Sequence, residues 1–180
     1  MAKILIPIAN GFEEIEAISI IDICRRADIE VIIAGVEDIE ITGAHNIKVI
    51  ADKRISDILS DDFDMIALPG GLPNAFTLAE DTDVQRLLKE FKAKEKKIGA
   101  ICAAPYALHT ADVLGKNYTC YPSFEEKIKY DGYQTNNNVV IDEDVITSKG
   151  PATAMEFALE IVKTLKGEES YNSVKSGLLA

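Results

Sequence analysis

Short apolar segments alternate with longer amphipathic ones along this chain of 180 residues. Two of the short segments, Lys3–Ile8 and Lys97–Ile101, are too short for typical helices and contain several isoleucines, so we predict buried strands there. A helical pattern follows each of them. Strands that alternate with helices predict βαβ units, in which helices cover both faces of a mostly parallel sheet.

The same reasoning gives the other elements of one α/β domain, which we expect to comprise residues 1–180. We predict strands at residues 29–35 and 63–68, a small β-hairpin excursion within 37–51, a hairpin of 139–141 with 145–147, and helices at 13–26, 82–94, 103–111 and 151–165. Ligands in such folds bind beyond the carboxyl ends of the strands. Three of these ends carry notable residues, at positions 10–16, 69–72 and 102–105.

The acidic composition excludes several classes of partner. The chain has 30 Asp and Glu against 19 Lys and Arg, which gives a net charge of −11. Such a surface repels nucleic acid and anionic membranes, so we predict neither as a partner. Three widely spaced cysteines and two histidines predict neither a disulfide framework nor a metal site. The first apolar run is too short for a secretory signal or a membrane helix, and we expect a cytoplasmic protein.

Cys102 is the first candidate catalytic residue. It lies between a predicted strand and a predicted helix and has small neighbours, which is the strand–turn–helix context of a nucleophile elbow without the usual GxSxG letters. The positive end of the helix should lower the pKa of a thiol at this position. A buried structural cysteine is the alternative, because free cysteines are commonly buried.

Glu16 is the second candidate. Apolar residues surround nearly the whole circumference of helix 13–26, which indicates a helix that is buried or shared with a second subunit. Glu16 projects into this apolar environment, which should raise its pKa and let it act as an acid or base. Glu13 and Glu14 are better explained as favourable charges at a helix start.

Gly70 and Gly71 follow a predicted strand and can direct backbone N–H groups to one point, as an oxyanion hole requires. We place Ala103, directly after Cys102, in the same group of oxyanion and substrate-binding residues. A tight turn is the alternative for the two glycines. The chain has no glycine-rich dinucleotide or phosphate-binding loop.

These segments together resemble the ThiJ/PfpI superfamily, in the branch of the parkinsonism-associated deglycase and its bacterial relatives. The matching strings are GFEEIEA at 11–17, DICRRA at 22–27, LPGG at 68–71, AICAAP at 100–105 and TSKGPAT at 147–153. They occur in the family's order and span nearly the whole chain.

The resemblance implies a flavodoxin-like fold, a reactive Cys102, a Glu16 that hydrogen-bonds to it, and oxyanion N–H groups from Gly70 and Gly71. It also implies a homodimer formed through helix 13–26, and no cofactor. The human member has a histidine just before the proline that follows the elbow helix. This chain has Tyr121 there, so we assign Tyr121 to the pocket and expect Glu16 to be the main acid–base group.

On this basis we predict a glutathione-independent glyoxalase or deglycase, whose substrate is a small α-oxoaldehyde such as methylglyoxal or a glycated protein. The alternative is a redox-sensing stress-response protein that works through oxidation of Cys102. A cysteine peptidase or amidohydrolase is a third possibility. Ala103 argues against it, because a peptidase of this fold would have a histidine next to the cysteine.

Overall fold

The computed structural model describes residues 1–180, with a central sheet of seven strands and a separate hairpin of two. The strands are β1 (Lys3–Ile8), β2 (Glu30–Gly35), β3 (Glu40–Thr42), β4 (Lys48–Ile50), β5 (Lys53–Arg54), β6 (Met65–Leu68), β7 (Lys97–Ile101), β8 (Val139–Asp142) and β9 (Val145–Ser148). The sheet order is β5-β2-β1-β6-β7-β9-β8. Its strands are parallel except β8, which pairs antiparallel with β9. The predicted mostly parallel α/β sheet is therefore confirmed.

Helices cover both faces of the sheet. They are α1 (Glu14–Arg26), α2 (Asn74–Glu80), α3 (Thr82–Ala93), α4 (Pro105–Thr110), α5 (Glu125–Ile128), α6 (Ala154–Lys166) and α7 (Glu168–Leu178). Helices α1 and α6 pack together over one face, whereas α2, α3 and α4 cover the other. Successive side chains of β1 enter the two apolar cores in turn, because side chains alternate along a strand: Ile4 and Ile6 belong to one core and Leu5 to the other.

Both predicted hairpins are present, β8 with β9 and β3 with β4. Two predicted helices begin later than expected. The first, predicted at 103–111, begins at Pro105 because residues 102–104 form the turn after β7. The other, predicted at 151–165, opens with a 3-10 turn over Pro151–Thr153 before α6 starts. None of the seven helices has the length and apolar character needed to cross a membrane.

Candidate active site

The carboxyl ends of three neighbouring strands, β1, β6 and β7, meet at one edge of the sheet. The loop that leads from β1 into α1 brings Glu16 to this edge. The turn after β6 brings Gly70 and Gly71, and the turn after β7 brings Cys102. The three segments that the sequence singled out therefore converge, because parallel neighbours end on the same side.

Cys102 occupies a sharp turn between β7 and α4. Its φ of 65° lies in the left-handed region, which costs a non-glycine residue roughly 1–3 kcal/mol. Two backbone hydrogen bonds hold this turn: the Cys102 N–H donates to the Ser148 carbonyl at 2.9 Å, and the Tyr121 N–H donates to the Cys102 carbonyl at 2.8 Å. The residue is only 8% exposed, so little of its side chain is in contact with solvent.

Glu16 lies in the first turn of α1 and has no exposed surface. Its Oε2 accepts a 2.7 Å hydrogen bond from the Gly70 N–H, whereas its buried Oε1 has no hydrogen-bond partner. Glu16 and Cys102 both lie against Gly70. A Cβ placed on this glycine would be 2.6 Å from the Cys102 Cβ and 2.8 Å from the Glu16 Oε2, so the two side chains are neighbours. An unpartnered carboxyl oxygen beside a thiol is an acceptor for the thiol proton.

The carboxyl and the thiol strongly affect each other's pKa. Burial raises the pKa of Glu16 to about 7, against smaller lowering effects of the Gly70 N–H and Cys102. Burial also raises the pKa of Cys102 and the Glu16 charge raises it further, while the N–H groups of Gly71 and Ala103 lower it. The expectation of a lowered thiol pKa was wrong, because desolvation and a neighbouring carboxylate outweigh these N–H groups. Because each group affects the pKa of the other, the two titrate as a coupled pair.

The two glycines have different roles in this geometry. The Gly70 N–H is already committed to Glu16, so it is not a free oxyanion donor. The Gly71 and Ala103 N–H groups face the Cys102 sulfur and are the available donors. Gly71 has a φ of 90°, and a Cβ there would lie 2.4 Å from both the Glu13 nitrogen and the Gly11 oxygen. Only glycine fits this position without displacing the loop.

Tyr121 borders the site through its backbone bond to Cys102, and its side chain is 48% exposed. The ring lines a cavity of about 320 Å³ with Pro122, Asn138, Lys149, Gly150, Pro151, Ala152 and Thr153. A Cβ on Gly150 would lie 3.2 Å from the ring, so the glycine leaves room for it. The structure therefore places Tyr121 next to Cys102 and at a cavity.

Glu14 has a structural role that the sequence did not reveal. It is buried, and its carboxylate accepts hydrogen bonds from the His45 N–H at 2.7 Å, the His45 Nδ1 at 2.9 Å and the Ile47 N–H at 3.3 Å. Burial raises the pKa of Glu14, but these hydrogen bonds together lower it by more, so its pKa lies below the ordinary value. The ligand atoms of Glu13, Glu14 and His45 lie within 4.8 Å of one another, close enough to coordinate one cation. Because both Glu14 oxygens already accept hydrogen bonds, we interpret the group as a clamp that fixes the β3–β4 hairpin to α1.

Comparisons with known proteins agree with this architecture. Residues 2–164 match the DJ-1/PfpI family. Protein DJ-1 homolog B of Arabidopsis thaliana is 39% identical over 98% of this chain, but the match spans only 41% of that protein. The glutathione-independent glyoxalase DJR-1.2 of Caenorhabditis elegans is 39% identical over 96% of this chain and 92% of its own length. The structure of oxidized Toxoplasma gondii DJ-1 superposes with a TM-score of 0.94 at 38% identity, covering 99% of this chain and 98% of that one.

Proposed function

The chain belongs to the DJ-1/PfpI family, and on that premise we propose that it is a cysteine-dependent, glutathione-independent glyoxalase or deglycase. Its substrates would be α-oxoaldehydes such as methylglyoxal, or the adducts that they form on proteins. The observation that carries this proposal is the Cys102 thiol beside the buried Glu16 carboxyl, whose pKa of about 7 suits proton transfer near neutral pH. The name of the C. elegans relative supports the same chemistry.

The proposed reaction uses these side chains, two backbone N–H groups and one water. The Cys102 sulfur attacks the aldehyde carbon while Glu16 accepts the thiol proton, which gives a hemithioacetal. The Gly71 and Ala103 N–H groups stabilise the developing oxyanion. Glu16 returns its proton to that oxygen, then removes the hydrogen from the former aldehyde carbon to give an enediolate and delivers it to the neighbouring carbon. The hydroxyl proton of the former aldehyde carbon passes to the neighbouring oxygen, which leaves a carbonyl bonded to sulfur and a new hydroxyl group. The resulting thioester is hydrolysed by water, so methylglyoxal and water yield lactate and free Cys102.

This route predicts that activity rises with pH. Glu16 must be ionised to accept the thiol proton, and its pKa is about 7. We expect kcat/KM for lactate formation from methylglyoxal to increase about tenfold per pH unit below 7 and to level off above it. The measurement is lactate release by the purified protein without glutathione between pH 5.5 and 8.5. The absence of lactate at every pH, with Cys102 verified as reduced, would overturn the proposed function.

Redox sensing is the second candidate function, and one observation favours it. Cys102 is slightly exposed and lies against the Gly71 and Ala103 N–H groups, which are suitable donors to the oxygens of an oxidised sulfur. A protonated Glu16 would add a third donor. All three cysteines are free, which fits the reducing cytoplasm that we propose as the location.

We also propose a homodimer formed through α1. Its residues Ile15 and Ile18 lie three positions apart on one face and are 57% and 44% exposed. Ile47 is 54% exposed and is hydrogen-bonded to the first turn of the same helix. This exposed apolar surface is suited to contact with a second copy.

A charged substitution on this surface tests the dimer. We expect Ile18→Asp to raise the dimer dissociation constant by about a hundredfold or more, because a carboxylate would be desolvated without a partner in each subunit. Analytical ultracentrifugation measures the effect. The control is Leu59→Asp, which replaces an apolar residue that is 65% exposed away from α1. A monomeric wild type, or equal effects of the two substitutions, would contradict the proposed interface.

A further inference from the structure

Asn74 is a fully buried polar residue at the start of α2 that the mechanism above does not use. Its side-chain amide connects two of the three segments of the site. The Nδ2 donates to the Pro69 carbonyl at 2.8 Å and to the Gly70 carbonyl at 2.9 Å. The Oδ1 accepts the Ala9 N–H at 2.7 Å. Both amide hydrogens and the amide oxygen are therefore used to fix the turn after β6 to the end of β1.

These bonds determine the orientation of the peptide between Gly70 and Gly71. The carbonyl of a trans peptide and the N–H that follows it point in opposite directions. Asn74 and the Glu13 N–H hold the Gly70 carbonyl, at 2.9 Å and 3.0 Å. The Gly71 N–H of the same peptide is consequently directed to the other side, where the Cys102 sulfur lies.

A Gly-Gly peptide needs such an anchor, because glycines on both sides give it little conformational preference of its own. The Glu13 N–H alone provides one hydrogen bond to the carbonyl. Building on the proposed function, we propose that Asn74 is a positioning residue that keeps the Gly71 N–H aimed at the oxyanion formed on attack by Cys102. Without the Asn74 amide, the peptide can rotate, and the oxyanion loses one of its two donors.

Two substitutions separate this role from simple support of the fold. Asn74→Asp retains the size of the side chain and an acceptor for the Ala9 N–H, but places an oxygen against the two carbonyls. Asn74→Ala removes all three hydrogen bonds. The matched control is Leu78→Ala, which truncates another fully buried residue of α2 without touching the Gly70 peptide.

We expect both Asn74 variants to lower kcat for lactate formation by about tenfold to a hundredfold. This loss is smaller than that for complete removal of an oxyanion donor, because the Gly71 N–H is misdirected but still present. KM should change less than about twofold. The pH profile of Cys102 alkylation by iodoacetamide should shift to higher pH in both variants. The Gly71 N–H lowers the thiol pKa, so the pKa rises when this N–H turns away from the sulfur. Leu78→Ala should retain the wild-type kcat and alkylation profile, even if its melting temperature falls as far as that of the Asn74 variants.

Wild-type kcat and an unchanged alkylation profile in Asn74→Asp would overturn the positioning role, as would equal losses in Leu78→Ala. If Asn74→Ala does not fold, Asn74→Asp provides the same comparison. The alkylation profile requires no aldehyde. A protein that forms no lactate but shows the shifted profile would therefore contradict the proposed function while supporting the role of Asn74.

Discussion

Replacing Cys102 with serine is expected to abolish lactate formation from methylglyoxal, with kcat at least about a thousandfold lower. Glu16 has a pKa of about 7, and it can accept the proton of a thiol far more readily than that of an alcohol. The serine oxygen would therefore remain a protonated, weak nucleophile in the same position. The measurement is lactate release by wild type and variant at pH 8, with free methylglyoxal in thiol-free buffer.

Cys24→Ala is the matched control for this experiment. Cys24 is also a free, buried thiol, and burial raises its pKa to about 12. It lies in the last turn of α1, 78 residues before Cys102 in the chain, and no hydrogen bond joins it to the site. We expect near-wild-type activity from it. Substantial lactate formation by Cys102→Ser would show that another group is the nucleophile.

The sheet was predictable because its central strands are buried on both faces. Such strands need continuous apolar sequence rather than alternation, and β1 and β7 have the predicted bounds of Lys3–Ile8 and Lys97–Ile101. Helix α2 was missed because its seven residues offer too short a pattern. Helix α4 begins later than predicted because Cys102 adopts a left-handed φ, which no local pattern of apolar residues encodes.

The site was predictable only as far as it depends on the ends of parallel strands. Cys102, Glu16 and the Gly70–Gly71 turn converge because their strands are neighbours. The detailed assignment of hydrogen bonds was not predictable, because it depends on contacts between distant parts of the chain. The Gly70 N–H bonds to a carboxyl 54 residues away, and Asn74 bonds to Ala9, 65 residues away. Glu14 was interpreted only as a favourable charge at a helix start, because the hairpin that buries it comes later in the sequence.

Replacing Glu16 with glutamine is expected to lower activity and to raise stability. The amide can still accept the Gly70 N–H bond, but it cannot accept the Cys102 proton, so kcat/KM should fall by about a hundredfold to ten-thousandfold. Burial raises the folded-state pKa of Glu16 from 4.5 to about 7. The folded protein therefore binds this proton more tightly than the unfolded chain, and the free energy of unfolding falls as pH rises from about 4.5 to 7.

Above pH 7 the ionised, buried carboxylate costs the wild type roughly 3 kcal/mol, whereas the neutral glutamine has no such cost. Urea unfolding should therefore show the variant to be more stable at pH 8, with most of the difference lost at pH 5. Glu13→Gln, at the residue just before α1, is the control and should show no comparable gain. Equal stabilisation at both pH values would mean that the gain does not come from ionisation of Glu16. Full turnover by Glu16→Gln would exclude the proton shuttle, because a carboxamide cannot accept and return the proton that the reaction moves between two carbons.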